Sequence, residues 1–280
     1  MSIATKEQTI VDAVRKQLFI GGEWRDASGG TLAVEDPATG EALCEVADAT
    51  PEDAKAALDA AADSQAEWAA TPPNQRGEIL WRAFEILNQR ADDLALLMTL
   101  EMGKTVAESK AEIAYAAEFF RWFSGEALRI DGNYKLAGNA ASRVLVMRQP
   151  VGPCFFITPW NFPTAMGTRK IGPAIAAGCT MVWKPAKQTP LSAFALAQVL
   201  EESGLPGGVS AHSFCIPAAA SRAAPASSGV ASATSHRVSV VAGSSTWRVA
   251  PCSASRHSPP MKSCLGTLSI TVCSCVAMLI

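Results

Sequence analysis

The amino-acid sequence predicts an α/β protein, with N-terminal helices followed by the first half of a doubly wound, Rossmann-like parallel sheet. Apolar residues recur at helical spacing over the first 130 residues. After residue 150, two short apolar runs are each followed by a helix that ends near a glycine. A change of composition after Glu202 predicts that the sheet is truncated and that an irregular or disordered tail follows.

The first elements are a hairpin and a capped helix. Residues 18–24 contain two short apolar runs around a Gly-Gly pair, which is typical of a strand entering a tight turn. Residues 36–40 (DPATG) have turn chemistry. Thr50 followed by Pro51 predicts the start of a helix, since Thr is a favourable N-cap and Pro suits the first helical position.

The rest of the N-terminal region, residues 1–150, is predicted to be mainly helical. The apolar spacing predicts helices over residues 75–89, 92–103 and 106–128. Strands are expected near 132–150, because 143–149 changes to a strand pattern.

Residues 151–209 predict a partial dinucleotide-binding domain. The pattern is strand, helix, strand, helix, over residues 154–158, 165–177, 180–183 and 191–203. Short apolar strands of this kind belong to parallel sheets covered on both faces.

Composition excludes several classes of function. Lys and Arg number 24 against 26 Asp and Glu, for a net charge of −2, which argues against binding nucleic acid through a broad basic face. Eight cysteines are too few for a disulfide scaffold, so we expect a reducing, cytoplasmic compartment. The N-terminus has no continuous apolar run of the secretory type. The uncharged run 264–280 is short for a membrane span, so no membrane partner is expected.

The chain joins two compositional regimes. Residues 203–280 contain no Asp, Glu, Asn, Gln or Tyr, whereas all 26 acidic residues lie before residue 203. All three histidines lie after it. We therefore expect residues 210–280 to be a divergent tail, and we hypothesise a frameshift near Ser210. A natural replacement domain is the alternative, although the low-complexity composition speaks against it.

Two segments carry candidate chemistry. Residues 158–163 (TPWNFP) follow the first buried strand, where the amide of Asn161 is the type of donor that stabilises an oxyanion; a turn built from two prolines is the alternative. Residues 183–187 (WKPAK) follow the second strand, where Lys184 and Lys187 are suited to a phosphate or ribose, or are simply solvated. Neither common glycine-rich phosphate motif is present.

Together these segments resemble the aldehyde dehydrogenase family, and within it the NAD(P)-dependent succinate-semialdehyde dehydrogenases. The similarity covers residues 17–209 and rests on six blocks in family order: IGGEW at 20–24, EMGK at 101–104, ITPWNFP at 157–163, TRK at 168–170, AAGC at 176–179 and KPA at 184–186. The resemblance implies that Asn161 is the oxyanion-hole amide. It also implies a dinucleotide site formed by Thr158, Pro159, Trp160, Asn161, Lys184, Pro185, Ala186 and Lys187.

The resemblance further implies a substrate and a cofactor. Arg169 matches an arginine that holds the carboxylate of succinate semialdehyde in the family, and glutarate semialdehyde would use the same side chain. Lys187 stands where NAD-selective relatives often carry glutamate, so NADP is expected, with NAD possible. No metal is expected, and a zinc site built from the His and Cys residues of the tail has unsuitable spacing.

The family reaction needs a cysteine nucleophile and a glutamate base, in segments that are not found in this sequence. We therefore expect no turnover of a small-molecule aldehyde by this 280-residue chain. The rival interpretation is a non-catalytic module that binds nucleotide or joins intact homologues. The strands near 135–149 would then supply the contact, because the corresponding family segment contributes to oligomer interfaces.

Overall fold

Helices dominate the first half of the chain. The structure is a computed structural model that describes residues 5–212 and 239–241. The helices are α1 (Thr5–Ala13), α2 (Pro51–Ala70), α3 (Pro73–Gln89), α4 (Ala91–Met102), α5 (Val106–Glu126), α6 (Ala165–Ala177) and α7 (Pro190–Glu202), with a 3₁₀ turn at Ala127–Arg129. The strands are β1 (Leu18–Ile20), β2 (Glu23–Arg25), β3 (Thr31–Glu35), β4 (Ala42–Ala47), β5 (Asn133–Leu136), β6 (Arg143–Val146), β7 (Cys154–Ile157), β8 (Met181–Lys184), β9 (Ser210–His212) and β10 (Ser239–Val241).

The α/β fold class is confirmed. Within the described residues, one sheet has the strand order β10-β7-β8-β9-β1-β2. β7, β8, β9 and β10 run parallel, and the hairpin β1–β2 continues the sheet by antiparallel pairing with β9. The crossover helices α6 and α7 each connect two of the parallel strands, as the alternating pattern predicts.

The parallel sheet extends further than the sequence predicted. β9 begins at Ser210 and pairs with β8 in the register Met181↔Ser210, and the backbone N–H of Met181 donates to the carbonyl of Val209 over 2.7 Å. β10 lies in the segment predicted to be an irregular or disordered tail and pairs with β7. These two short strands lie in residues 210–280, which the sequence predicted to be a divergent tail, and the other residues of that segment after 212 lie outside the described residues. Pairing satisfies backbone groups of β7 and β8 that an open edge would leave exposed.

The core lies between this sheet and the helices. Phe156, Trp183, Phe194 and Leu18 are among the largest fully buried side chains. Because β1 and β2 join β9, the sheet combines segments from both sides of residue 150. The proposed division of the chain into 1–150 and 151–209 stays a prediction.

Two further strand pairs lie outside the main sheet. β3 and β4 flank the turn predicted at residues 36–40. β5 pairs with β6, which ends at Val146, three residues before the predicted end of that strand. In the part of the chain that is described, no helix is long and apolar enough to span a bilayer.

Candidate functional site

The two predicted segments meet at the carboxyl edge of the parallel sheet. β7 and β8 are paired in the register Ile157↔Lys184, and the backbone N–H of Thr158 donates to the carbonyl of Lys184 over 3.2 Å. The indole N–H of Trp183 donates to the buried hydroxyl of Thr158 over 2.9 Å. The start of the 158–163 loop is therefore fixed to the end of β8.

The tip of that loop is open to solvent. Pro159 and Asn161 are exposed, and the side chain of Trp160 is half exposed. The backbone of Asn161 is nevertheless held, because the ammonium of Lys104 donates to its carbonyl oxygen over 3.2 Å. The same ammonium lies 4.6 Å from the ring centroid of Phe162, a cation–π distance.

A buried ion pair supports this loop. Lys104 pairs with Glu112 of α5, and the two side chains are only 11% and 1% exposed. The other carboxylate oxygen of Glu112 accepts the backbone N–H groups of Thr164 and Ala165 at 3.0 and 3.1 Å. These N–H groups belong to the start of α6, whose positive dipole end favours an anion. One ion pair therefore fixes both the loop and the helix that follows it.

A second buried glutamate holds α7 in the same way. Glu101, at the end of α4, accepts the backbone N–H of Leu191 at 2.7 Å and that of Ser192 at 2.8 Å. Burial raises the pKa of Glu101 to about 7, although hydrogen bonds from Ser192 and Leu191 favour its charged form.

Sequence reasoning missed the roles of Glu101, Lys104 and Glu112. Residues 101–104 were interpreted as a helix exit, and the left-handed Gly103 does end α4. Glu101 and Lys104 stand on either side of the end of α4, but the sequence pattern does not show that both side chains are buried. The sequence around Glu112 predicts only a helix. It does not show that the Glu112 carboxylate will bind backbone N–H groups at the start of α6.

A cavity of about 570 Å³ lies beside the loop. Trp160, Lys187, Glu101 and Met102 contribute to its lining. The ammonium of Lys187 is about half exposed and lies 3.8 Å from the carboxylate of Asp48. The structure therefore brings predicted residues from both segments, Trp160 and Lys187, to one cavity.

The other residues of the second segment are less exposed and do not line this cavity. Lys184 and Ala186 are half-buried and Pro185 is buried. The backbone N–H of Thr189 donates to the carbonyl of Ala186 over 3.3 Å, which closes a turn before α7. The backbone that carries the two lysines is thus anchored at both ends.

Arg169 lies on α6, against α5. Its guanidinium carbon is 5.9 Å from the ring centroid of Phe119, and the side chain is half-buried. Burial lowers the pKa of the adjacent Lys170, and the positive charge of Arg169 lowers it further. Arg169 therefore lies in a locally cationic, aromatic surrounding, which suits an anionic group.

The described side chains were compared with the ligand groups that a metal ion needs. Within residues 5–212 and 239–241, no three His, Cys, Asp or Glu side chains are grouped so as to hold a metal ion. The tail combination considered for zinc uses Cys215, Cys252, His257, Cys273 and Cys275, which lie outside the described residues, together with His212, whose side chain is likewise outside the description.

Known proteins are similar in sequence to this chain over most of its length. A model of the aldehyde dehydrogenase family matches residues 24–218. A succinate-semialdehyde dehydrogenase of Paenarthrobacter nicotinovorans is 57% identical over 167 residues, 60% of this chain and 37% of that protein. The NADP⁺ succinate-semialdehyde dehydrogenase GabD of Escherichia coli and a glutarate-semialdehyde dehydrogenase of Pseudomonas aeruginosa are each 48% identical over 196 residues, 70% of this chain and 41% of theirs.

Solved structures of aldehyde dehydrogenases are also similar to this chain. A succinate-semialdehyde dehydrogenase from Burkholderia pseudomallei superposes with a TM-score of 0.74 at 41% identity, over 81% of this chain and 46% of that one. A betaine aldehyde dehydrogenase from Staphylococcus aureus, solved with NAD⁺, gives a TM-score of 0.73 at 28% identity, over 76% of this chain and 43% of that one.

The match therefore has a clear extent. The chain spans about two fifths of the length of these curated relatives. The family match extends to residue 218, nine residues beyond the point where sequence reasoning ended the resemblance, and it includes β9. This protein belongs to the aldehyde dehydrogenase family.

Proposed function

We propose that this chain binds NADP at the carboxyl edge of β7 and β8, on the scaffold of a succinate-semialdehyde dehydrogenase. One observation carries the proposal: the register of β7 and β8 places residues 158–161 next to residues 184–187, beside a cavity lined by Trp160 and Lys187. Ligands of open α/β sheets bind outside the carboxyl ends of the strands. In the family reaction, the bound nucleotide supplies a hydride acceptor.

The residues at this edge fit a nucleotide with a 2′-phosphate. Lys187 offers a half-exposed cation at the cavity, and an ammonium is a good partner for phosphate. Asp48 opposes this preference, because its carboxylate lies 3.8 Å from the same ammonium. We propose that Lys187 favours NADP over NAD and that Asp48 limits the preference. The GabD relative is named for NADP⁺.

The proposed substrate is a semialdehyde that carries a carboxylate. Arg169 would pair with that carboxylate, and the side-chain amide of Asn161 would donate to the developing oxyanion. The named relatives act on succinate or glutarate semialdehyde. Succinate semialdehyde is favoured by the relative with the higher identity.

We propose that the 280-residue chain does not turn this substrate over. Residues 203–280 contain no carboxylate that would activate water. Of the cysteines within the described residues, Cys154 and Cys179 are buried and Cys44 is half-buried, and none lines the cavity. The composition after the family match supports a frameshifted reading of the gene. Resequencing the locus across residues 204–220 tests this, and recovery of the Glu and Cys segments in another frame is expected.

A second candidate function is association with intact homologues. Tyr134, Leu136, Leu145 and Val146 of the β5–β6 hairpin are 48–67% exposed, and so is the adjacent Met147. Exposed apolar patches of this kind mark interaction surfaces. Co-purification with an intact homologue, lost on Leu145→Lys, would support this function, and a soluble monomer would contradict it.

The binding proposal is tested by calorimetric titration of the full chain with NADP and NAD. Lys187→Glu replaces an attraction with a repulsion, so we expect the NADP affinity to fall about tenfold or more while NAD changes little. Asp48→Asn is expected to raise the NADP affinity a few-fold. Lys55→Glu, on the exposed surface of α2, is the matched control. Equal affinity of wild type and Lys187→Glu for NADP would contradict the proposal.

A further inference from the structure

Helix α5 is apolar on two of its sides. Its inner side packs into the core through buried residues such as Ile113 and Phe120. On the outer side, Tyr115, Phe119 and Trp122 follow one another at spacings of four and three residues, which puts them on one face of the helix. We call these three residues the α5 outer face. Because a surface helix normally has one apolar stripe, a second stripe indicates a second contact.

The α5 outer face is open to solvent. Tyr115 and Trp122 are 48% and 53% exposed, and Phe119 is half-buried. The rings of Tyr115 and Phe119 are in edge contact, with their centroids 4.9 Å apart, so they form one apolar surface. Glu118 and Arg121 form an exposed ion pair along its border. An apolar centre with a polar border is the usual composition of a protein–protein interface.

Helix α2 is the internal contrast. It has nearly the same length as α5, 20 residues against 21, and it also packs a stripe of buried alanines inward. Its exposed positions carry charged residues such as Glu52, Lys55 and Asp63, and no aromatic residue. Charged side chains of this kind are what a solvated helix face normally presents. The exposed aromatic side chains of α5 are therefore specific to that helix.

Two further exposed aromatic side chains lie toward the carboxyl edge of β7 and β8. Glu112, three residues before Tyr115, binds the backbone N–H groups at the start of α6 and so holds the preceding loop to α5. Trp160 and Phe162 of that loop are 50% and 43% exposed. With Tyr115 and Trp122 they make four half-exposed aromatic side chains, which present roughly 400 Å². That is about half of the ~800 Å² that each partner buries in a standard interface.

The relatives contain a part that has no counterpart in this chain. The chain spans about two fifths of the curated relatives, and it superposes on 46% of the Burkholderia pseudomallei enzyme. We call the remainder of a relative its unmatched part. Where the unmatched part packs against the shared scaffold, it covers a face that is open in this chain. Apolar faces gain most from such cover, because burial removes their surface from water.

We propose that the α5 outer face, together with Trp160 and Phe162, binds the unmatched part of a succinate-semialdehyde dehydrogenase when that part is a separate polypeptide. This chain is then one half of a two-chain assembly. The inference rests on the proposed function in one respect: the cysteine and glutamate that this chain lacks have to reach the nucleotide edge, where Trp160 lies. An intact homologue already contains its own unmatched part, so the β5–β6 hairpin discussed for intact homologues is a different surface.

The test is co-expression of the tagged 280-residue chain with the unmatched part of the Paenarthrobacter nicotinovorans relative. We expect the two to co-purify and to sediment as a one-to-one complex without nucleotide. Trp122→Glu places a charge on the α5 outer face and should raise the dissociation constant about thirtyfold or more. Ala66→Glu, at an exposed position of α2, is the matched control and should leave it unchanged. Absence of a complex, or equal affinities of Trp122→Glu and the control, would overturn the proposal.

Hydroxyl-radical footprinting of the unaltered chain identifies what covers the face. Tyr115 and Trp122 should be oxidised readily in the chain alone and protected in the complex. Protection in the chain alone would contradict the proposal, and sedimentation would then assign the cover to residues 213–280 of a monomer or to a second copy in a dimer. If Trp122→Glu fails to fold, Tyr115→Glu replaces it. Because the complex is measured without nucleotide, failure of NADP binding would leave this result unaffected.

Discussion

The helices of the N-terminal region and the two crossover helices begin in different ways. α2 and α5 are capped by their own sequence: Thr50 and Thr105 accept the N–H of the third helical residue, and that residue's carboxylate accepts the threonine N–H in return. Such capping boxes are local, and each satisfies two backbone donors.

α6 and α7 also follow threonines, but those threonines do not cap them. The side chains of Thr164 and Thr189 make no capping hydrogen bond. Instead, Glu112 and Glu101 reach the first N–H groups from 52 and 90 residues earlier in the chain. α6 and α7, which flank the carboxyl edge of β7 and β8, are therefore held by α5 and α4, so this edge depends on the N-terminal region.

The two distant caps also differ from each other. Glu112 is paired with Lys104, whereas no cation within residues 5–212 lies at ion-pair distance from Glu101. A buried carboxylate without a cation is the more costly of the two to keep charged. The Glu112 cap therefore depends on its ion pair with Lys104, whereas the Glu101 cap depends on pH.

The largest expected effect comes from breaking the ion pair. Lys104→Met would leave Glu112 buried without its partner, and we expect the free energy of unfolding to fall by roughly 3–5 kcal/mol. Urea denaturation at neutral pH measures it. Lys55→Met is the control, because it breaks the exposed Lys55–Asp59 pair, for which a loss of no more than about 0.5 kcal/mol is expected. Equal losses in the two variants would contradict the special role of the buried pair.

The second effect tests the cap without a cation. The pKa of Glu101 rises from the ordinary 4.5 to about 7 on folding, so the folded state binds more protons between these values. The stability that this proton uptake gives the folded state is fully present below pH 4.5. As the pH rises through 7, about 3 kcal/mol of the free energy of unfolding is lost.

Glu101→Gln should remove that pH dependence. The difference in unfolding free energy between pH 5 and pH 8 is expected to shrink by about 2.5 kcal/mol relative to wild type. Glu52→Gln, at the exposed start of α2, should leave the difference unchanged. An unaltered pH dependence in Glu101→Gln would mean that Glu101 titrates in the same range in the folded and unfolded chains.

A third effect distinguishes the caps by function. Lys104 also holds the carbonyl of Asn161, so Lys104→Met should loosen the loop and weaken NADP binding about tenfold, or about 1.4 kcal/mol. Glu101→Gln, at a pH where both variants are folded, should weaken it less. A larger loss in Glu101→Gln would place the critical support at α7 instead.

The smallest effect concerns a local cap. Thr50→Ala removes the capping box of α2, and we expect a loss of about 1 kcal/mol in the unfolding free energy with no change in NADP affinity. Denaturation and titration of the same preparation check both parts. Weakened NADP binding would show that the two regions are coupled more widely than the distant caps imply.

The comparison also explains which features could be predicted from the sequence. The start of α2 at Pro51 and the end of α6 before Gly178 follow from local chemistry, and both were predicted correctly. The carboxyl edge was located because two strand ends were recognisable. The caps from Glu101 and Glu112 were not predicted, since a side chain that crosses 52 or 90 residues leaves no local pattern. β9 was missed because the change in composition obscured a strand defined by backbone pairing.

Hydrogen exchange of the full chain, with and without saturating NADP, tests the central claim most directly. Without nucleotide, the amides of residues 164, 165, 191 and 192 should exchange slowly, because the two glutamates hold them. With NADP, new protection should appear in residues 158–163 and 184–187. Fast exchange at the four capped amides, or protection by NADP only outside this edge, would contradict the account.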